Sequence, residues 1–225
     1  MKKVNNIFGL AIYEYSLNKS LKLELLKKDR TKFGLDLDYY FRGYNELSKL
    51  EKKAISLAEG EILDVGCATG YYIPALKRQG AVDAIDLSDE VIKLAKANGI
   101  EECHVADIFK YNPGKRYDTI TLFENNIGLA GTYSKTRKMF RIITNLLKSN
   151  GQIIAIIRHT DYRQKHYSSK YKILWKGRIR KGFRWFYFNI NYLPEFCKKF
   201  NLKLEIVDEE EDEGRQMYLV RLFRY

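Results

Sequence analysis

Three aspartates, each at the end of a short apolar run, are the residues of this sequence best suited to hold a ligand. The aspartates and their runs are Asp64 in residues 61–65, Asp86 in residues 81–86 and Asp107 after residues 101–106. The first run leads into a glycine-bearing turn, Gly66-Cys67-Ala68-Thr69-Gly70. Because glycine lets the backbone approach a ligand without a Cβ clash, this turn predicts a small-molecule site beside Asp64.

The turn departs from the pattern that binds a dinucleotide, in which glycines stand at three positions of G-x-G-x-x-G. Ala68 replaces the second glycine and Tyr71 the third. The Asp64 carboxylate would also repel a pyrophosphate and attract an ammonium group. Asp86 lies sixteen residues beyond Gly70, near the position of the acid that binds ribose hydroxyls in nucleotide-binding folds. These residues favour a cationic ligand that carries a ribose, as S-adenosylmethionine does.

The third acid stands beside apolar side chains, because Ile108 and Phe109 follow Asp107. Such a group suits the exocyclic amine and the face of a nucleobase. The alternative explanation for all three aspartates is structural, since an aspartate at a strand end often caps the next helix. Asp86 could do this for the helix that follows Ser88.

Short β-branched runs alternate with segments of helical periodicity, and this alternation predicts the elements that position the acids. The predicted strands are residues 61–65, 81–86, 101–106, 118–123 and 152–157, and the predicted helices are residues 46–58, 71–79, 89–98 and 134–148. A further helix is predicted at residues 193–200, followed by an antiparallel hairpin of residues 202–207 and 216–224 around an acidic turn. The expected fold is α/β and Rossmann-like, with a doubly wound, mostly parallel seven-stranded sheet that ends in this hairpin.

Together, the three acidic strand ends resemble motifs I, II and III of the class I S-adenosylmethionine-dependent methyltransferases, over roughly residues 46–157. The resemblance implies S-adenosylmethionine as the cofactor and S-adenosylhomocysteine as the product. It places Gly66 and Gly70 near the methionine part, Leu87 beside the adenosine and Ile108 against the adenine. The cofactor-binding residues that we expect, with no metal ion, are Asp64, Gly66, Cys67, Ala68, Gly70, Asp86, Leu87, Asp107, Ile108, Glu124 and Arg42.

The N-terminal part of the chain shares in a narrower resemblance. A bacterial methyltransferase subgroup of largely unassigned substrate has counterparts of Asn126-Ile127-Gly128-Leu129-Ala130-Gly131, Phe8-Gly9-Leu10-Ala11 and Tyr40-Phe41-Arg42-Gly43. We therefore expect residues 1–45 to form a cap or lid on a methyltransferase domain of residues 46–225. Arg42 would pair with the methionine carboxylate of the cofactor, or else be a surface arginine in a loop.

Two residues are candidates for a catalytic role. Asn125 occupies the motif IV position, and His159 follows the fifth strand, where a general base would meet the acceptor. Motif IV lacks the Pro-Pro-aromatic sequence of enzymes that methylate exocyclic base amines, which argues against that chemistry. A loop histidine without a role is the alternative for His159, because a neutral amine acceptor needs no general base.

A basic aromatic segment follows the fifth strand. Residues 158–184 contain ten lysines and arginines and one acid, Asp161, interleaved with aromatic residues such as Tyr162. Alternation around Gly177 and Gly182 predicts one β-hairpin at residues 171–188, within an insertion of about residues 160–190 that covers the substrate.

The acceptor that we expect is an N or O nucleophile of a small molecule or peptide, compact and anionic or polar. Lys176, Arg178 and Arg180 of the insertion would act on it. The alternative is an RNA methyltransferase, because cations interleaved with aromatic rings suit single strands. The absence of a separate RNA-binding module favours the first reading. A cofactor-binding protein without catalysis is the third hypothesis.

The composition fits one α/β domain with an appendage, since the chain has 225 residues. Its formal net charge of +12 suits an anionic partner, or equally a set of lysine-rich solvated helix faces. The cysteines are odd in number and lack C-x-x-C spacing, so buried reduced thiols are expected. Neither a signal peptide nor a stretch of membrane-spanning length is evident, and we expect a soluble cytoplasmic protein.

Overall fold

The computed structural model describes residues 6–159, 164–212 and 214–224, with every side chain in these ranges except that of Asp212. Asp161 and Tyr162 of the basic aromatic segment lie outside the described residues. The helices are α1 (Ile7–Leu17), α2 (Lys49–Ser56), α3 (Ile73–Leu76), α4 (Asp89–Ala97), α5 (Tyr133–Leu146) and α6 (Leu193–Lys198). The strands are β1 (Leu23–Leu26), β2 (Lys32–Leu35), β3 (Gly60–Val65), β4 (Gly80–Asp86), β5 (Cys103–Val105), β6 (Tyr117–Leu122), β7 (Leu147–Arg158), β8 (His166–Lys170), β9 (Lys172–Trp175), β10 (Arg178–Arg180), β11 (Arg184–Phe188), β12 (Leu202–Asp212) and β13 (Arg215–Arg224).

The central sheet has the strand order β12-β13-β7-β6-β3-β4-β5 within the described ranges. Strands β7, β6, β3, β4 and β5 are parallel, whereas β13 pairs antiparallel with β7 on one side and β12 on the other. The predicted seven-stranded, mostly parallel α/β sheet with a C-terminal antiparallel hairpin is confirmed. Residues 152–157 of β7 are all buried, as expected of a strand that is covered on both faces.

The chain reverses its direction of winding between β3 and β6. From β3 it proceeds outward to β4 and β5, and it then returns to the other side of β3 to add β6 and β7. In open α/β sheets, the carboxyl ends of the strands at such a reversal form the crevice that binds ligands. The fold therefore predicts a ligand-binding crevice at the carboxyl ends of β3 and β6.

The two faces of the sheet carry separate apolar clusters. Leu63 belongs to the cluster that contains Phe140 of α5, and its neighbour Ile62 belongs to the opposite cluster with Ile55 of α2. Adjacent residues of a strand point to opposite faces, so one short run of apolar residues packs both layers of helices. This explains why β3 reads as a continuous apolar run instead of an alternating one.

The insertion is paired differently from the predicted single hairpin of residues 171–188, and that part of the prediction was wrong. Strand β9 pairs with β10 through a tight turn, and β11 pairs with β8. The other edge of β9 pairs with β1, so an additional sheet of order β10-β9-β1-β2 joins the insertion to the N-terminal region. Alternation along the sequence marks a strand but does not identify its partner.

A third apolar cluster holds this additional sheet together with α1. Ile12 of α1 packs in it with Leu23 and Leu25 of β1 and with Ile173 and Trp175 of β9. The N-terminal residues and the insertion thus share one core, although more than a hundred residues separate them in sequence. Their shared core is why neither segment shows the strand–helix repeat of the central sheet.

The acidic run near the C-terminus was expected to form a charged turn, but it extends β12 as far as Asp212. Asp208 pairs with Lys53 of α2 at 2.8 Å, and Glu210 accepts a hydrogen bond from the Leu50 backbone N–H at 3.0 Å. A carboxylate at the first turn of a helix interacts favourably with the helix dipole. The acids therefore attach the edge strand to α2.

None of the helices in residues 6–159, 164–212 and 214–224 combines the length and the apolar character that crossing a bilayer would require.

The insertion packs so closely on the loop after β6 that a glycine is required there. A Cβ on Gly128 would lie 2.1 Å from the Phe186 carbonyl oxygen of β11, whereas a Cβ on Gly34 would meet no atom within 4 Å. We expect Gly128→Ala to lower the free energy of unfolding by about 1–3 kcal/mol, because a backbone atom cannot move aside as a side chain does. Gly34→Ala should change it by less than about 0.5 kcal/mol. Equal midpoints of thermal unfolding for the two variants would contradict this packing.

Candidate active site

A cavity of about 1700 Å³ opens at the carboxyl ends of β3, β4 and β6. Its wall includes Asp64, Asp86, Asp107 and Glu124 from the central sheet, together with residues of the N-terminal region and the insertion. Pockets that hold one drug-sized ligand usually measure about 300–1,000 Å³. This cavity therefore has room for a cofactor and a second molecule.

Asp64 is a buried carboxyl group at the end of β3. Only 2% of the residue is exposed, and the Thr121 hydroxyl of β6 donates a hydrogen bond to its Oδ1 at 2.6 Å. Burial raises the pKa of Asp64 to about 7, and the nearby Asp86 charge acts in the same direction against the Thr121 hydrogen bond. A cation bound beside Asp64 would lower this pKa again.

Asp86 has a structural role as well as a place on the cavity wall. Its two oxygens accept hydrogen bonds from the backbone N–H groups of Ser88, at 2.9 Å, and Ala68, at 3.1 Å. These bonds connect the turn after β3 to the end of β4. The bond to Ser88, which directly precedes α4, agrees in part with the alternative that Asp86 caps this helix. A carboxylate has about four lone-pair sites, so acceptor capacity remains for a ligand. Leu87, the next residue, is 44% exposed and also lines the cavity.

Asp107 and Ile108 lie together at the end of the cavity formed by β5. Asp107 accepts a hydrogen bond from the Phe109 backbone N–H at 3.0 Å through Oδ1. Ile108 is buried and faces the same cavity. The structure thus brings the three acids of the sequence motifs to one wall, in the order of the adjacent strands β3, β4 and β5.

The turn after β3 is fitted closely to its neighbours. Gly66 has a φ of +86°, and a Cβ there would lie 2.6 Å from Asn126 Nδ2. That amide donates to the carbonyl oxygens of Val65 and Gly66 at 3.0 and 3.1 Å. Ala68 also has a positive φ, of +49°. Gly66, Cys67 and Ala68 all line the cavity.

Gly70 is not on the cavity wall. A Cβ on Gly70 would lie 2.9 Å from Cys103 Sγ, so this glycine allows the turn to pack against β5. Cys67, Cys103 and Cys197 are buried free thiols, as expected from the sequence.

The loop after β6 has an unusual backbone. Glu124 and Asn125 have φ values of +51° and +59°, a conformation that few residues other than glycine adopt. The Asn125 N–H donates to the Ile156 carbonyl oxygen at 2.9 Å, and its Oδ1 accepts from the Arg158 backbone N–H at 3.2 Å. Consecutive strained residues at the edge of a cavity are typical of functional loops.

Glu124 is linked to a second buried acid through Tyr72. The Tyr72 hydroxyl lies 3.0 Å from Glu124 Oε1 and is also hydrogen-bonded to Glu51. Burial raises the pKa of Glu124, and the Glu51 charge raises it further. Because a hydroxyl carries one hydrogen, a protonated Glu124 can donate to Tyr72 while Tyr72 donates to Glu51.

Arg42 is directed at Glu51 and is not part of the cavity wall. Its guanidinium donates to the two Glu51 oxygens at 2.7 and 3.1 Å and stacks on Tyr39, with the ring centroid 3.4 Å from Cζ. The Arg42 charge lowers the pKa of Glu124 and so opposes the larger effect of burial. Arg42 therefore acts on the site through Glu51 and Glu124.

His159 lies at the end of β7 and on the cavity wall. Its backbone N–H donates to the Gln216 carbonyl oxygen at 2.8 Å, and its ring meets the Tyr218 ring edge to face at 5.8 Å. The structure thus brings His159 and Asn125 to the same cavity as the three acids.

The cations that we expected at the acceptor lie elsewhere in the structure. Lys176 pairs with Glu14 of α1 at 2.8 Å, and Arg178 and Arg180 are exposed on the edge strand β10. Within the described ranges, the arginines and lysines on the cavity wall include Arg158, Lys181 and Arg184 instead. The reason is the pairing of β9 with β1, which places β10 at the edge of the additional sheet.

A group of tyrosines was not identified from the sequence. Tyr39, Tyr40, Tyr71 and Tyr72 line the cavity beside the turn after β3, and the Thr69 hydroxyl donates a hydrogen bond to the Tyr40 carbonyl oxygen. The sequence feature that could have indicated this group is two pairs of adjacent tyrosines, one shortly before Arg42 and one directly after Gly70.

Comparison with known proteins agrees with this geometry. Residues 62–151 match a family model described as a methyltransferase domain. The chain is similar to the ubiquinone biosynthesis O-methyltransferase of Xylella fastidiosa (strain M23), with 52% identity over 50 residues, which are 22% of this chain and 20% of that protein. The chain spans less than half the length of the curated relatives it matches.

Solved structures share the fold at low sequence identity. A methyltransferase from Bacteroides fragilis in complex with S-adenosyl-L-homocysteine has a TM-score of 0.84 and 22% identity over 100% of this chain and 98% of that one. The sugar N-methyltransferase of Streptoalloteichus sp. ATCC 53650 has a TM-score of 0.60 and 15% identity over 85% and 94%. Residues 62–151 thus match a methyltransferase domain, and the chain shares its fold with a solved S-adenosylmethionine-dependent methyltransferase.

The raised pKa of Asp64 predicts a gain in stability when this group loses its charge. The folded state favours the protonated form, so the contribution of Asp64 to stability is present at low pH and is lost as the pH rises through about 7. Asp64→Asn, which keeps the shape and can still accept from Thr121, should be more stable than the wild type at pH 8. The difference should widen by up to about 1.4 kcal/mol for each pH unit between about pH 4 and 7. Urea unfolding at several pH values measures it, and a difference independent of pH would contradict the buried ionisation.

Proposed function

We propose that this protein transfers a methyl group from S-adenosylmethionine to an N or O nucleophile of a small molecule. One observation carries the proposal: the acidic ends of β3, β4 and β5 line one cavity beside the winding reversal of the sheet, and this cavity is large enough for two ligands. The residues on this wall suit the chemical groups of the cofactor.

The nucleoside half of the cofactor fits the ends of β4 and β5. Asp86 retains lone pairs for the ribose hydroxyls, and exposed Leu87 provides an apolar surface beside them. Asp107 offers an acceptor for the exocyclic amine of adenine, next to the apolar face of Ile108. Gly66 supplies the open backbone turn that the ligand would approach, because a side chain there has no space.

The methionine half carries an ammonium group and a sulfonium, and the acids at its end of the cavity fit positive charge. Asp64 is buried and Glu124 is partly buried, and burial raises the pKa of both, so ionisation of both acids is unfavourable without a cation. Arg42 would then support the site by holding Glu51, and not by pairing with the cofactor carboxylate.

The cofactor supplies a methyl carbon that is already activated by the positive sulfur. The protein's part is to align the acceptor atom with this carbon and to exclude water, which can contribute about 7–11 kcal/mol. Asn125 is held by its bonds to Ile156 and Arg158 and would lie beside the reacting centre. His159, on the same wall, would take the proton from an acceptor that must lose one.

The N-terminal cap of residues 1–45 and the insertion would enclose the acceptor. Residues from both segments line the cavity, and the relatives described above include an O-methyltransferase of ubiquinone biosynthesis and a sugar N-methyltransferase. RNA is the second candidate, favoured by the exposed arginines of β10. Binding of purified RNA with a steep salt dependence that Arg178→Glu and Arg180→Glu reduce would support RNA.

Calorimetry of S-adenosylmethionine binding tests the cofactor site. We expect Gly66→Val and Asp86→Ala to weaken binding at least tenfold, because the first fills the turn and the second removes the ribose acceptor. Asp89→Ala, three residues away on α4 and paired with Lys93 on the surface, is the matched control and should bind within about twofold of the wild type. Unchanged binding in both site variants, or preferential binding of NAD, would refute the proposal.

The pKa of Asp64 also predicts how cofactor affinity depends on pH. Binding of a cation requires the ionised carboxylate, so S-adenosylmethionine affinity should fall as the pH drops below about 7, by up to about tenfold per unit. Titrations between pH 8 and 5.5 in buffers of different ionisation enthalpy should detect release of a proton near pH 6.5. Asp64→Asn should flatten the pH profile, and an equally steep profile in that variant would assign the effect to another group.

A further inference from the structure

Charged side chains from different elements occupy different parts of the cavity wall. Asp64 and Asp86 lie at the ends of β3 and β4 and Asp107 follows β5, whereas Arg158 ends β7 and Lys181 and Arg184 come from the insertion. Glu124 follows β6, the strand between β3 and β7. Strands in a sheet are about 4.8 Å apart, and β7 lies two positions from β3, on the side away from β4. A cofactor held by the three acids therefore leaves the end of β7 to the acceptor.

Two hydrogen-bond donors at this end of the cavity lack acceptors. Asn125 is 3% exposed and Arg158 is partly buried, and neither Asn125 Nδ2 nor Arg158 Nε has a hydrogen-bond partner among the residues that the structure describes. The backbone N–H of Arg158 donates to Asn125 Oδ1 at 3.2 Å, so the Asn125 amide lies against the Arg158 backbone. A buried polar group without a partner is unfavourable, and an anionic ligand would satisfy both donors.

The guanidinium of Arg158 also has no carboxylate partner in the described part of the chain. Tyr187 lines the same cavity as Arg158. Burial raises the pKa of Tyr187, and the Arg158 charge opposes this effect. Tyr187 stacks on Tyr167 at 4.6 Å and hydrogen-bonds to Tyr171 at 3.1 Å, and all three line the cavity.

We infer that Arg158 and Asn125 bind an oxyanion of the methyl acceptor, a carboxylate or a phosphate, which directs the acceptor atom toward the cofactor. This inference rests on the proposed methyl transfer and identifies the class of acceptor. Arginine suits the role because its planar fork binds carboxylates and phosphates through two parallel hydrogen bonds. The adjacent tyrosine rings would pack against an apolar or planar part of the same molecule.

The test uses small aromatic probes on the full-length protein saturated with S-adenosylhomocysteine. Benzoate and phenyl phosphate represent the two oxyanions, and benzamide is the uncharged counterpart of benzoate. We expect at least one anion to bind at least tenfold more tightly than benzamide, and Arg158→Gln to remove that difference. Arg158→Lys should restore part of it. Arg178→Gln, the same substitution on the exposed edge of β10, is the matched control and should leave it unchanged.

S-adenosylhomocysteine affinity, titrated separately, distinguishes the possible failures. Absence of S-adenosylhomocysteine binding to the wild type would refute the proposed function itself. A loss of S-adenosylhomocysteine affinity in Arg158→Gln would mean that this arginine binds the cofactor carboxylate, which overturns the inference alone. Equal binding of anions and benzamide, or no binding of either anion, would overturn it too. Circular dichroism of Arg158→Gln and Arg158→Lys verifies that both variants fold.

Discussion

The site is governed by the cost of burying the carboxylates that the parallel sheet brings together. Parallel strands end at one edge, so acids that follow β3, β4 and β6 must share a small region that is shielded from water. Asp64 and Glu124 both respond with raised pKa values, and burial is the largest cause for each. Protonation or a bound cation lowers the free-energy cost of these buried negative charges. The charge pattern of this region therefore favours a cationic ligand.

The rest of the structure lowers this cost without removing it. Glu51 accepts two hydrogen bonds from the Arg42 guanidinium, and Tyr72 joins it to Glu124. Asp86 is stabilised by two backbone N–H groups. Asp64 accepts a hydrogen bond from the Thr121 hydroxyl, and burial still makes ionisation of its carboxyl group unfavourable. The unbalanced charge is thus concentrated where a cationic cofactor would lie.

Much of this arrangement could be predicted from the sequence, because the central sheet is specified by local patterns. The strand of residues 61–65 was predicted within one residue of β3, and the three acids were correctly placed at strand ends. The partners of the insertion could not be predicted, since the contact of β9 with β1 spans about 150 residues and leaves no local signal. The partner of Arg42 could not be predicted either. The residues around Arg42 in the sequence indicated a site, but its pairing with Glu51 depends on the tertiary fold.

The acceptor side of the cavity depends on those same long-range contacts. Packing of β11 on the loop after β6 brings Tyr187 to the cavity that Arg158 also lines, whereas Lys176 pairs with Glu14 and the arginines of β10 lie on an edge strand. The number of basic residues in the insertion therefore does not identify the cations on the cavity wall. The cation that we infer to bind the acceptor belongs to the central sheet.

A crystal structure of the protein with S-adenosylhomocysteine would test the proposed cofactor site. We expect ribose hydroxyls within hydrogen-bonding distance of Asp86, adenine between Ile108 and Asp107, and the ammonium group on the side of Asp64 and Glu124, with the sulfur facing Asn125. A nucleoside bound with its ribose away from Asp86, or an amino-acid carboxylate seated on Arg158, would contradict it.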